Sequence, residues 1–108
     1  METKDIVKAL ASLAQETRLT AFRALVQAGA GGVSAGALAS QLSVPNATLS
    51  FHLKELANAG LIVARQESRH IYYSANYDAM NDLIAYLTEN CCGGQTCLPA
   101  VSCTKETS

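Results

Sequence analysis

Pro45-Asn-Ala-Thr-Leu-Ser-Phe-His-Leu-Lys-Glu-Leu-Ala-Asn-Ala-Gly60 decides the fold. Leu49, Leu53, Leu56 and Ala57 recur at helical spacing, so they share one face of a helix. Pro45 suits a first helical turn, where its missing N–H costs nothing. Gly60 suits the end, where a left-handed residue closes a helix. At roughly 100° per residue, Thr48, Phe51, Lys54, Glu55 and Asn58 point away from the leucines. Ser50 and His52 fall on the two flanks. Small polar groups, an amide and a lysine near the start of such a helix match the polar base edges of a DNA major groove.

The neighbouring segments support that reading. Ser34 can cap a helix running to about Leu42, with Leu38 and Leu42 as its apolar pair. Ser43-Val44 is then a short turn, and two helices joined by such a turn form a helix-turn-helix. After Gly60 the pattern changes. Leu61-Ile-Val63 and His70-Ile-Tyr-Tyr-Ser74 are β-rich, joined by the polar tip Arg65-Gln-Glu-Ser-Arg69. A hairpin directly after a recognition helix is the wing of a winged helix-turn-helix. The expected fold is therefore mainly α with a small β-hairpin.

This arrangement nominates a set of DNA-contacting residues on double-stranded operator DNA. Asn46, Thr48, Ser50, Phe51 and His52 would approach base edges or nearby phosphates. Lys54, Arg65 and Arg69 would contact phosphates, with His70 beside them. Three alternatives stay open. Phe51 is either a contact to a thymine methyl or part of a local cluster. His52 is either a DNA contact or a core-edge histidine. The hairpin tip is either a contact or a solvated turn.

Outside this core, residues 4–14 and 16–28 read as scaffold helices. Ile6, Leu10 and Leu13 form one stripe, with Val7 and Ala14 beside it; Leu19, Phe22, Leu25 and Val26 form the other. Ala28-Gly-Ala-Gly-Gly32 ends the second helix and supplies a loop. Residues 77–90 read as a last helix striped by Met80, Leu83, Ile84 and Leu87. So small a unit has apolar stripes at both ends and little core to cover them. The first and last helices are expected to pack against a second copy, giving a two-fold homodimer suited to a palindromic site.

The chain has 108 residues, which fits one domain over residues 1–90 plus a flexible tail over 91–108. Hydrophobic residues make up 49%, enough for a modest core but not for a large enzyme cleft, so no catalytic role is expected. No apolar run approaches the roughly 18 residues of a membrane span, and the start lacks a signal-peptide pattern. A cytoplasmic location with no membrane partner is expected. The net charge of −1 argues against non-specific nucleic-acid binding but not against a specific binder with a local positive strip.

All four cysteines, Cys91, Cys92, Cys97 and Cys103, lie in the last 18 residues. A disulfide framework would spread them through the fold, so the clustering points to a site. Gly93-Gly94 forms a hinge that lets Cys97 curl back to the vicinal pair. Three thiolates make a soft, sulfur-only site suited to trivalent arsenic or antimony. Cys103 is a candidate fourth donor. Zinc usually takes a fourth ligand and often a C-x-x-C pair, which is absent here. A thiol redox switch remains the main alternative, since Cys97 or Cys103 can pair with the vicinal thiols. Catalysis is disfavoured, because the cysteines follow a helix C-terminus, where the macrodipole opposes a thiolate.

Several stretches together resemble the ArsR–SmtB family of metal-responsive repressors. Leu13-Ala-Gln-Glu-Thr-Arg-Leu19 is similar to that family's L-x-x-x-T-R-L opening of the second helix. Thr48-Leu-Ser-Phe-His-Leu-Lys-Glu-Leu56 resembles its recognition helix. Asn58-Ala-Gly-Leu-Ile62 and Arg69…Tyr72-Tyr73 resemble its wing. The resemblance spans about residues 6–90. The Cys-Val-Cys motif of its commonest arsenic repressors is missing from Gly32-Val-Ser-Ala-Gly-Ala-Leu38, and the histidines of its zinc sensors are missing from 77–90. Leu87-Thr-Glu-Asn-Cys-Cys-Gly-Gly94 with Cys97 is instead similar to family members that bind As(III) through three cysteines after the dimerisation helix. The spacing to the third cysteine is one residue shorter here, which leaves room for Cys103. The resemblance implies a dimeric repressor released from DNA when As(III) or Sb(III) binds, with a redox-responsive repressor of the same fold as alternative.

Overall fold

The leucines of the central helix hold the molecule together. In the computed structural model, which describes residues 1–90, the elements are α1 (Thr3–Leu13), α2 (Glu16–Ala28), β1 (Val33–Ser34), α3 (Ala35–Leu42), α4 (Asn46–Asn58), β2 (Ile62–Glu67), β3 (His70–Ala75) and α5 (Tyr77–Thr88). Leu49, Leu53 and Leu56 of α4 are fully buried against Phe22 and Leu25 of α2, Leu38 of α3, and Leu61. Ala57 is exposed and lies off that face.

Local chemistry sets the ends of these helices. The Ser34 hydroxyl accepts from the Ala37 N–H at 3.2 Å and so caps α3. Ser43 closes α3 in the left-handed conformation, φ 57°. The Val44 and Ser43 N–H groups return to the carbonyls of Ala39 and Ser40. That is a Schellman closure with serine where glycine is usual. Pro45 stands one residue before α4, extended at ψ 147°, rather than inside its first turn. At the other end Gly60 has φ 78°. The Leu61 N–H reaches the Leu56 carbonyl at 3.1 Å and the Gly60 N–H reaches Ala57 at 3.0 Å. Leu56 and Leu61, the apolar pair of this closure, are both fully buried.

The hairpin is longer than the sequence predicts. β2 pairs with β3 from Ile62↔Ala75 to Glu67↔His70, so the turn is only Ser68-Arg69. Ser68 alone has a positive φ there, 58°, which is how II′ hairpin turns begin. A third strand was not expected. Val33 and Ser34 pair antiparallel with Tyr73 and Tyr72, giving the sheet order β1-β3-β2. Gly32 makes this approach feasible. It has φ 82°, and a Cβ there would stand 2.8 Å from the Tyr73 carbonyl oxygen.

The outer helices differ from their expected facing. Ile6 and Ala9 of α1 turn inward, while Val7 and Leu10 are exposed. In α2, Ala21, Phe22 and Leu25 are buried and Leu19 is exposed. In α5, Ala79 and Leu83 are buried, and Ile84 and Leu87 are not. α5 ends at Thr88 rather than residue 90. Asn76 fixes its start: its side chain accepts from the Ala79 N–H and donates to the Gly60 carbonyl, and its own N–H donates to Leu61. The Tyr77 hydroxyl donates to the Val26 carbonyl at 3.0 Å, tying α5 to the end of α2. Among the described residues no helix is long and apolar enough to cross a membrane.

Candidate nucleic-acid interface

The solvent face of α4 carries the predicted residues. Asn46, Thr48, Ser50, Phe51 and Lys54 are all exposed, because the buried leucines hold the opposite face down. Phe51 is 57% exposed, a large apolar ring standing on a polar surface. Its edge meets the His52 ring at a centroid distance of 5.5 Å. Lys54 has no ion pair among the described residues, so its charge is free for a phosphate.

His52 is placed differently. It is only 9% exposed, and its Nδ1 lies 3.3 Å from Nη1 of Arg18. An arginine only donates, so Nδ1 accepts and the ring proton sits on Nε2. Arg18 also donates through Nε to the Ser12 carbonyl at 2.7 Å, and its own N–H is capped by Gln15. The structure places His52 at the edge of the core. The side chain joins α4 to α2 and, through Arg18, to α1. Arg18 is the residue that sequence reasoning missed. It is 34 positions from His52, and no spacing rule links them. Its signal was its place in the Thr17-Arg18-Leu19 motif.

The wing residues also separate. Arg69 lies in the turn and is exposed, as is His70. Arg65 is not at the tip but four residues into β2, paired with Tyr72. Its Nε donates to Glu67 at 3.1 Å, its Nη2 donates to the Gly31 carbonyl at 3.0 Å, and its guanidinium lies 5.5 Å from the centre of the Tyr72 ring. Three contacts on one planar fork make it a brace between wing and α2–β1 loop. A phosphate would have to displace them.

Tertiary folding brings the helix and the wing to one place. Ser50, Arg69 and His70 line a common cleft of about 510 Å³ with Ser34 and Gly36 at the start of α3. Residues nominated for base edges and for phosphates, from separate elements, therefore border one groove. Cys91, Cys92, Cys97 and Cys103 lie outside the described residues. Among residues 1–90 no group of three His, Cys, Asp or Glu is arranged to hold a metal ion.

Comparison with known proteins agrees with this geometry. Residues 13–65 match a family model described as a helix-turn-helix domain. An ArsR-like transcriptional regulator from Rhodococcus sp. RHA1 superposes with a TM-score of 0.71 at 28% identity, over 78% of this chain and 76% of that one. Reduced HlyU from Vibrio cholerae is 30% identical with a TM-score of 0.63, over 79% of this chain and 90% of that one. The nodulation protein NolR of Rhizobium meliloti is 30% identical over 80 residues, 74% of this chain. The match spans 63% of the length of that curated relative. The chain has the winged helix-turn-helix fold and is similar to ArsR-type transcriptional regulators.

Proposed function

We propose that the protein is a dimeric, metalloid-responsive repressor that leaves operator DNA when As(III) or Sb(III) binds Cys91, Cys92 and Cys97, with Cys103 as a further donor. The observation that carries this reading is the confinement of every cysteine to residues 91–103, directly after α5, while residues 1–90 contain none. A solved structure described as a possible transcriptional regulator for arsenical resistance is 26% identical with a TM-score of 0.65, which supports the same direction.

The dimer reading rests on unpartnered apolar surface. Val7 and Leu10 of α1 and Ile84, Tyr86 and Leu87 of α5 are exposed. Thr3 and Tyr86 share a hydrogen bond of 2.6 Å, and an open hollow of about 790 Å³ touches both Val7 and Tyr86. Covering such a face with its own copy removes apolar area from water at about 25 cal/mol per Å². The thiols follow the last of these helices. An ion gathering them would repack the helix ends, change the spacing of the two α4 helices and weaken the DNA complex.

The second reading is a thiol redox switch. One observation favours it: the HlyU relative is described in a reduced form. Both are tested on the reduced full chain bound to a duplex it has selected from a random pool, read by fluorescence anisotropy. Release by arsenite or antimonite, lost in the separate Cys91→Ser, Cys92→Ser and Cys97→Ser variants, is expected. Release by peroxide with arsenite inert would establish the redox reading instead. A complex indifferent to all three reagents would overturn both.

A further inference from the structure

The outward face of α4 is polar around one large apolar ring. Phe51 is 57% exposed and takes no part in the hydrophobic core of the described residues. Val7 and Leu87, exposed to a similar degree, belong to α1 and α5, where a second copy is proposed to cover them. Phe51 lies on neither helix.

Its neighbours narrow what the ring can meet. Ala47 and Thr48 stand four and three residues before Phe51, so all three share one face of the helix. All three are exposed. Alanine, the threonine methyl and phenylalanine are the side chains that make apolar contact with the C5-methyl of thymine in a major groove. Asn46, exposed at the start of the same helix, is the residue type that pairs with adenine. The usual guanine readers are arginine and lysine. α4 contains no arginine, and its single lysine, Lys54, stands three residues beyond Phe51. The ring is also steadied from behind. Its edge meets the His52 ring at 5.5 Å, and His52 is itself held by Arg18. A contact group already oriented loses less freedom when it binds.

We propose that α4 selects A·T base pairs through the thymine methyl group, with Phe51 as the residue that sets this preference. The inference rests on the operator-binding reading and is independent of the cysteines. Thymine carries a C5-methyl in the major groove and cytosine does not. Covering that methyl with the Phe51 ring removes apolar surface of both partners from water.

The test uses a duplex that the reduced full chain has selected from a random pool. Each thymidine is replaced in turn by deoxyuridine, which deletes the methyl and keeps the O4 acceptor and the base pair. Affinity is read by fluorescence anisotropy. At one or more positions the parent should lose about fourfold, the value of one buried carbon. Phe51→Ala should bind the thymidine and deoxyuridine duplexes equally, while Phe51→Leu, which keeps an apolar group, should retain part of the difference. Circular dichroism checks that both variants are folded, as expected for an exposed position. Salt is lowered until the weaker complexes are measurable, because phosphate contacts then tighten. A parent indifferent to every replacement, or a Phe51→Ala variant that keeps the parent's difference, would overturn the proposal and leave operator binding standing. Failure to select any duplex would overturn operator binding itself, and this proposal with it.

Discussion

Gly32 shows how much one missing methyl group can determine. Its φ of 82° is costly for any residue with a Cβ, and that Cβ would stand 2.8 Å from the Tyr73 carbonyl oxygen. Gly32→Ala should therefore destabilise the protein by about 2 kcal/mol or more, lowering Tm by roughly 8 °C or more in a domain of this size. Scanning calorimetry checks it, with Gly31→Ala, where a Cβ meets nothing within 4 Å, as the mild control. His52 teaches a related lesson. Its position on the flank of a helix left it open to two roles. A partner 34 residues away, Arg18, holds it at the core edge.

Among the elements, α5 and α4 depend on shared punctuation. Asn76 caps α5 and at the same time holds the Gly60 carbonyl that ends α4. Asn76→Ala removes both side-chain bonds and should cost about 2 kcal/mol, combining a lost cap with an unpaired carbonyl. Asn76→Asp, which keeps the cap acceptor and loses the donor, should fall between the two in urea unfolding. The outward face of α4 makes a different kind of prediction. Lys54 is exposed and has no ion pair among the described residues. Lys54→Ala should weaken binding to all DNA sequences alike and reduce the slope of log K against log salt by about one. An unchanged slope would remove Lys54 from the interface. The wing was legible as two β-rich runs, but its length was not. Polar residues such as Gln66 and Glu67 read as a tip, because a two-stranded ribbon with both faces wet carries no apolar alternation.

At the scale of the whole molecule, the outer faces of α1 and α5 need a cover. Val7 and Leu87 are each 59% exposed. Replacing either with glutamate leaves the monomer core untouched and places charge in the proposed dimer interface. Val7→Glu and Leu87→Glu should each weaken dimerisation at least tenfold by analytical ultracentrifugation and reduce DNA affinity with it, while near-native circular dichroism is kept. A dimer constant that does not move would place the partner surface elsewhere.

The sequence by itself determined the helix-turn-helix, its Ser34 cap, the Gly60 stop and the apolar face of α4, because periodicity and capping act within a few residues of chain. It also set the clustering of all four cysteines. Only the tertiary structure decided the rest. Val33-Ser34 becomes a strand because β3 arrives beside it through Gly32, and two residues carry no period of their own. Arg65 becomes a brace because Gly31 and Tyr72 lie within its reach. Val7 and Leu10 point outward because Ile6 and Ala9 already fill the space against the core. An apolar stripe records that a face is to be covered, and what covers it depends on contacts between residues far apart in the chain.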